Sequence, residues 1–194
     1  RKILKSSTDP VGAMLRHFHR SRPDMIVLAT HQRGGLARWL SKAVAEPLAR
    51  RSGAITLFIP QRGRGFVSLD DGTVALKRIL VPIDHDPHPQ MALRKALLLA
   101  RGLGCVTGEF RLVHVGRPGT APKIDLRGNA GWSYETVVRR GDVVDQILDE
   151  EAHWRPDLMV LATQGHMDFL DAVRGSTTER VLRGVSCAIL AVPV

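Results

Sequence analysis

The chain has 194 residues, 44% of them hydrophobic and 24% charged, with a formal net charge of +9. This is the composition of a globular protein with apolar material for one to two domains. No apolar run reaches the roughly 18 residues of a membrane span, no signal-peptide h-region precedes a cleavage site, and the expected setting is therefore cytoplasmic.

The charge is uneven. Residues 1–76 hold 13 Lys+Arg against 5 Asp+Glu, or +8, whereas residues 77–194 hold 15 against 14, or +1. A basic first part attracts polyanions. Its arginines do not interleave with aromatic residues as a base-stacking surface requires, so the plainer reading is a solvated surface, and nucleic acid is not the expected partner. Cys105 and Cys187 stand far apart in apolar surroundings and read as buried reduced thiols.

Along the chain, residues 1–60 overlie residues 134–193 without a gap at a shift of 133. RPDMIVLAT (22–30) falls on RPDLMVLAT (155–163), and Asp9, Glu46, Arg50 and Pro60 fall on Asp142, Glu179, Arg183 and Pro193. Such self-similarity marks a tandem repeat. The second copy alone has the further stretch 77–133 in front of the shared part. The expected organisation is the C-terminal half of a first domain over 1–60, a connector over 61–76 and a complete domain over 77–194. Within the connector, QRGRG (61–65) is the flexible part, and FVSLDDGTVAL (66–76) alternates around Asp71-Gly72, a hairpin signal.

The complete copy alternates strands and helices. RILVPI (78–83) is a strand, and residues 89–104 have the spacing of a helix with one buried face, stopped by glycine. FRLVHV (110–115) is a second strand. The following link, 116–133, carries too many glycines and prolines for a helix and leaves one sheet face to be covered by Trp132, the connector or a partner. YETVVR (134–139) is a third strand, residues 142–153 form a helix with Asp142 as N-cap, and DLMVLA (157–162) is a strand apolar on both faces. A helix over 176–184 and the strand AILAV (188–192) close the unit. Strands buried on both faces and joined by helices predict an α/β fold, a three-layer α/β/α Rossmann-like domain with a five-stranded parallel sheet.

Ligands of such sheets bind beyond the carboxyl ends of the strands, where the winding direction reverses. Asp84 closes the first strand, at a place where a carboxylate meets a ribose hydroxyl or a metal ion. In ATQGHMDFLDAVRGSTTE (162–179), Gly165 and Gly175 allow positive φ or close approach. The amides of Ser176, Thr177 and Thr178 open a helix and face an anion, with His166 and Arg174 as added positive charge. Ser-x-x-Glu is equally a capping box that binds nothing.

Taken together, ILVPID, LVHV, Gly165 followed after nine residues by Gly175-Ser176, and the closing AILAVPV resemble the universal stress protein family. The resemblance covers 77–194 as a whole domain and 1–60 as the back half of another, similar to tandem members. It implies an adenine nucleotide alpha hydrolase-like fold that binds ATP, with or without Mg2+. Carried over by position, Pro82, Ile83 and Asp84 line the adenosine and Val115 presents its backbone to adenine. Leu161 packs near the base, and Gly165, His166, Gly175, Ser176 and Thr177 hold the phosphates. Ala162 replaces the motif's first glycine. If that position requires positive φ, alanine costs about 1–2 kcal/mol, against about 8 kcal/mol for micromolar binding.

In the first copy the corresponding residues are Gln32, Lys42 and Ala43, so no nucleotide is expected there. His85, Asp86 and His88 offer metal-ligand chemistry, but a polar loop opening a helix accounts for them, and no metal is assigned. His114, inside an apolar strand, reads as a satisfied core residue. No nucleophile, base and orienting group can be placed together, so a dedicated catalyst is not expected, at most slow ATP hydrolysis. The family commonly pairs through its last strand, which implies that 57–59 and 188–192 join antiparallel within the chain and hide two sheet edges, with a homodimer as the further form of assembly. The leading functional reading is an ATP-binding stress-response module regulated by nucleotide in the second domain. The alternatives are an interaction module of the same fold without nucleotide, and a nucleic-acid binder acting through the basic first part.

Overall fold

The computed structural model describes residues 8–30, 52–60, 63–125, 127–163, 180–181 and 184–194. In chain order the elements are α1 (Pro10–Ser21), β1 (Met25–Thr30), β2 (Ile55–Pro60), β3 (Arg78–Pro82), α2 (Gln90–Gly102), β4 (Gly108–Val115), β5 (Trp132–Arg139), α3 (Val143–Trp154), β6 (Leu158–Thr163) and β7 (Ala188–Pro193).

The bounds of α1, β1 and β2 lie 133 residues before those of α3, β6 and β7, and local chemistry explains the coincidence. Asp9 accepts the Gly12 amide at 2.9 Å, and Asp142 accepts the amides of Val144 and Asp145 at 3.0 and 3.1 Å, so each helix starts on an aspartate cap. Both helices end on an arginine in the left-handed region, Arg22 at φ 42° and Arg155 at φ 52°, immediately before a proline that cannot continue a helix.

The strands form one sheet in the order β1-β2-β7-β6-β3-β4-β5. Every neighbouring pair is parallel except β2 and β7, which run antiparallel with Thr56 opposite Ala191, Leu57 opposite Leu190 and Phe58 opposite Ile189. Because Leu57 and Leu190 occupy equivalent positions in the two repeats, an approximate two-fold axis passes between them. The five strands of residues 77–194 are all parallel to one another, within a sheet extended to seven.

Both faces of the central strands are buried, which is why β3 and β6 read as continuous apolar runs. On one face, Ile79, Val81, Phe110, Leu112 and Val160 pack under the small-residue stripe of α2, Ala92, Leu93, Ala96, Leu97 and Ala100. Phe66 and Leu76 of the connector join that cluster. On the other face, Leu80, Val113, Met159, Leu161 and Ile189 pack under Val144 and Ile147 of α3.

The link between β4 and β5 contains no helix among its described residues. Ala121 and Ile124 of the link pack against the first core cluster instead. Trp132 sits 5.0 Å from the Phe110 ring, and Tyr134 stacks on that same ring at 4.9 Å. The sheet face over β4 and β5 is thus covered by aromatic bulk and by the link itself. In the connector, Val67 and Val74 form an antiparallel bridge, with Ala75 N donating to Phe66 O at 2.7 Å. No helix among the described residues is long and apolar enough to cross a membrane.

Candidate functional site

The site forms where the winding of the sheet reverses. From β3 the chain steps outward to β4 and then β5, whereas β6 lies on the opposite side of β3 and leads to β7. The strands β3 and β6 are bonded only through Ile79 with Leu158 and Leu80 with Met159. β3 remains paired to β4 through Pro82, and β6 to β7 through Thr163. The carboxyl halves of β3 and β6 are therefore not bonded to one another, each held by its other neighbour, and this is the place in such a sheet where ligands bind.

Pro82, Ile83 and Asp84 stand together at the carboxyl end of β3. Ile83 is 5% exposed and donates its amide to Val113 O at 2.9 Å, so the chain stays pinned to β4 for one residue beyond the strand. Asp84 is exposed, and one of its oxygens accepts the His85 amide at 2.8 Å. This local bond fixes the carboxylate at the strand mouth. Leu161, 7% exposed, packs on the α3 face, whereas Ala162 packs on the α2 face. Val115, half-buried, ends β4 opposite Arg139.

Ala162 lies within β6 opposite Val192 and is not in the left-handed region. The backbone penalty attached above to a positive φ at this position therefore does not arise, because an extended strand residue accepts a Cβ without strain. Gly165, His166, Gly175, Ser176 and Thr177, together with Arg174 and the capping box, lie outside the described residues.

Three side chains fasten the link beside these strand ends, and the sequence reading missed their role. His114, 4% exposed, donates from Nδ1 to the Ile83 carbonyl at 3.2 Å, and its Nε2 meets the Thr120 hydroxyl at 2.9 Å. His85 donates from Nε2 to the Thr120 carbonyl at 2.8 Å. Since a carbonyl only accepts, both donor assignments follow from the chemistry of the partner. Gln90 grips Asp125 at two points, donating to its carbonyl at 2.9 Å and accepting its amide at 2.8 Å. His114 is thus a hydrogen-bonded interior residue. No three His, Cys, Asp or Glu side chains converge as metal ligands among the described residues.

A second polar cluster lies on the α3 face. Glu150, 3% exposed, accepts from Arg111 Nη1 at 2.9 Å and from Arg139 Nη2 at 2.6 Å, and the Arg111 guanidinium lies 4.7 Å over the Trp154 ring. Partial burial disfavours the charged form of Arg111, but the hydrogen bonds and charges of its carboxylate partners together outweigh it and hold the guanidinium more firmly protonated. These groups are bound to one another and secure α3 against β4 and β5. Glu150 stands three residues after the buried Ile147, on the same face of α3, and this was the signal available in sequence.

Residues 123–193 match the model of the Universal stress protein family. Comparison with curated proteins yields no match. Among solved structures, a universal stress protein from Archaeoglobus fulgidus DSM 4304 superposes on 99% of this chain and 68% of its own, at 18% identity and a TM-score of 0.71. A universal stress protein in complex with cAMP covers 61% of this chain and 97% of its own at 15% identity and a TM-score of 0.47. An Arabidopsis thaliana family protein with AMP bound covers 60% and 90% at 17% identity and a TM-score of 0.39. Residues 123–193 are thus similar to the universal stress protein family, and the chain shares the mostly parallel fold of the Archaeoglobus protein.

Proposed function

We propose that the chain is an adenine-nucleotide-binding module of the stress response, taking ATP, with or without Mg2+, in the crevice of residues 77–194. The observation that carries this reading is the divergence of β3 from β6 with the exposed Asp84 carboxylate at its mouth, in a chain whose residues 123–193 match this family's model. Asp84 would accept the ribose hydroxyls, while Pro82, Ile83, Leu161 and Ala162 offer apolar walls and Val115 its backbone. Gly165, His166, Gly175, Ser176 and Thr177 would hold the phosphates. The repeat supports reading 1–60 as half of a first domain that binds no nucleotide, with the pairing of β2 and β7 as the seam between the two units.

Isothermal titration with ATP and Mg2+ tests the proposal. Wild type should bind saturably, Asp84→Ala should weaken binding by about tenfold, the worth of one charge-assisted hydrogen bond, and Gly175→Asp should abolish it by placing a carboxylate against the phosphates. A flat titration of wild type at millimolar nucleotide overturns the reading and leaves an interaction module of the same fold.

A further inference from the structure

β5 ends the sheet, and among the described residues it pairs with β4 alone. The strand and the turns that flank it lie within the described residues 127–163. Arg139 sets the direction of its backbone groups, because its carbonyl accepts the Gly116 amide at the end of β4 at 2.9 Å. Successive residues of a strand turn their N–H and C=O groups to opposite edges. Glu135, Val137 and Arg139 therefore bond toward β4, and Tyr134, Thr136 and Val138 aim theirs outward. Trp132 also points outward, but its amide already donates to Asn129 O at 3.0 Å, which leaves 134–138 as the working edge.

Exposed sheet edges are usually blunted by proline, a bulge or lysines. The sequence of β5, WSYETVVR, has no proline and no lysine, it pairs with β4 residue by residue without a bulge, and Thr136, Val137 and Val138 favour an extended chain. On the α3 face the edge carries a carboxylate and a guanidinium with a valine midway between them. Glu135 pairs inward with Arg111, and Arg139 pairs inward with Glu150. The outer sides of both remain open to water, with the Glu135 side chain 52% exposed and that of Arg139 45%. A row of alternating charge thus runs across the sheet and stops at its rim.

We propose that β5 docks against β5 of a second copy of this chain, antiparallel about a two-fold axis at Val137. A two-fold interface uses one patch twice, and β2 against β7 shows this sheet already accepting an antiparallel neighbour. In this register Thr136 stands opposite Val138 of the second copy, and the two exchange backbone hydrogen bonds through their outward groups. Glu135 stands opposite Arg139 of the second copy in a pair without backbone bonds, where side chains approach most closely. Symmetry makes both contacts twice. Charge selects the register: sliding one copy by two residues separates Glu135 from Arg139, and sliding it by four sets Glu135 on Glu135 or Arg139 on Arg139. The surface is independent of nucleotide binding.

Sedimentation velocity of the whole chain across the micromolar range tests the proposal and should show a monomer–dimer equilibrium. Thr136→Pro removes an outward N–H that the internal ladder does not use, so the variant should keep its far-ultraviolet circular dichroism and sediment as a monomer. Glu135→Arg should weaken the dimer at least about tenfold, because two opposed pairs become like-charged. If Thr136→Pro unfolds, Glu135→Arg and cysteine crosslinking decide. In a Cys105→Ala background, which removes the half-buried native thiol, Val137→Cys should form an intermolecular disulfide on oxidation across the axis. Thr136→Cys should not, since its counterpart lies on the diagonal, roughly 7–8 Å away. A monomeric wild type, a dimer unchanged by both Thr136→Pro and Glu135→Arg, or equal crosslinking of the two cysteine variants would overturn the proposal.

Discussion

Val27 and Val160 occupy the same place in the two repeats and test whether burial, rather than strand membership, governs what each side chain contributes. Val160 is 0% exposed and lies in the cluster beneath α2, whereas Val27 is 57% exposed. Truncating Val160 to alanine removes two methyl carbons at about 0.8 kcal/mol each, or about 1.6 kcal/mol. The void under α2 cannot close fully, which brings the loss to about 2.5 kcal/mol. For Val27 only the buried 43% of that transfer applies, about 0.7 kcal/mol, with no enclosed void because water reaches the site. At about 2–4 °C per kcal/mol for a chain of this size, calorimetry should show Val160→Ala melting roughly 5–10 °C below wild type and Val27→Ala no more than about 3 °C below. Urea unfolding of the same variants should shift in midpoint with the slope unchanged. Equal losses at the two positions, or a larger loss at Val27, would refute the assignment of α2 as the cover of one repeat only.

The buried polar groups and the buried thiol can be tested in the same way. Glu150→Leu leaves Arg111, with a side chain 20% exposed, without its buried partner; this should cost about 3 kcal/mol in urea unfolding, while Arg139→Ala, removing a cation whose side chain is 45% exposed, should cost under about 1 kcal/mol. Burial first, and the Glu151 carboxylate second, push the Cys187 thiol up to about 12. Iodoacetamide at pH 8 should therefore label the half-buried Cys105 of the native chain and reach Cys187 only on unfolding, as read by mass spectrometry. Above the ordinary thiol range the folded state retains a proton that the unfolded thiol releases. The stabilisation is complete below the unfolded pKa and is lost as pH climbs from there toward about 12. Cys187→Ala should flatten that alkaline loss.

Much of the fold was legible in the chain because its signals are local. The Asp9 and Asp142 caps, the Arg-Pro boundaries at 22–23 and 155–156, and the apolar runs of β3 and β6 involve residues within a turn or two of one another, and their periods survive without tertiary context. Repetition at a shift of 133 extended that reading to the equivalence of α1, β1 and β2 with α3, β6 and β7. Of the candidate site, Pro82, Ile83, Asp84, Leu161 and Ala162 were identifiable as strand ends for the same reason.

Only the assembled structure decided how those ends are used. The gap between β3 and β6 arises from each strand's pairing with its other neighbour, and the positive φ that alanine would have resisted at 162 is absent because β7 holds that residue extended. Thr120 serves His85 and His114 across 35 and 6 residues, and Glu151 meets Arg64 across 87. A buried donor or charge must find a partner somewhere, but which partner it finds is set by spatial proximity after the sheet has formed. Hydrophobic periodicity specifies the face a residue presents and carries no information about what waits opposite. For that reason the repeat was readable from sequence, while the seating of Arg64 against Glu151 and Ser186 was not.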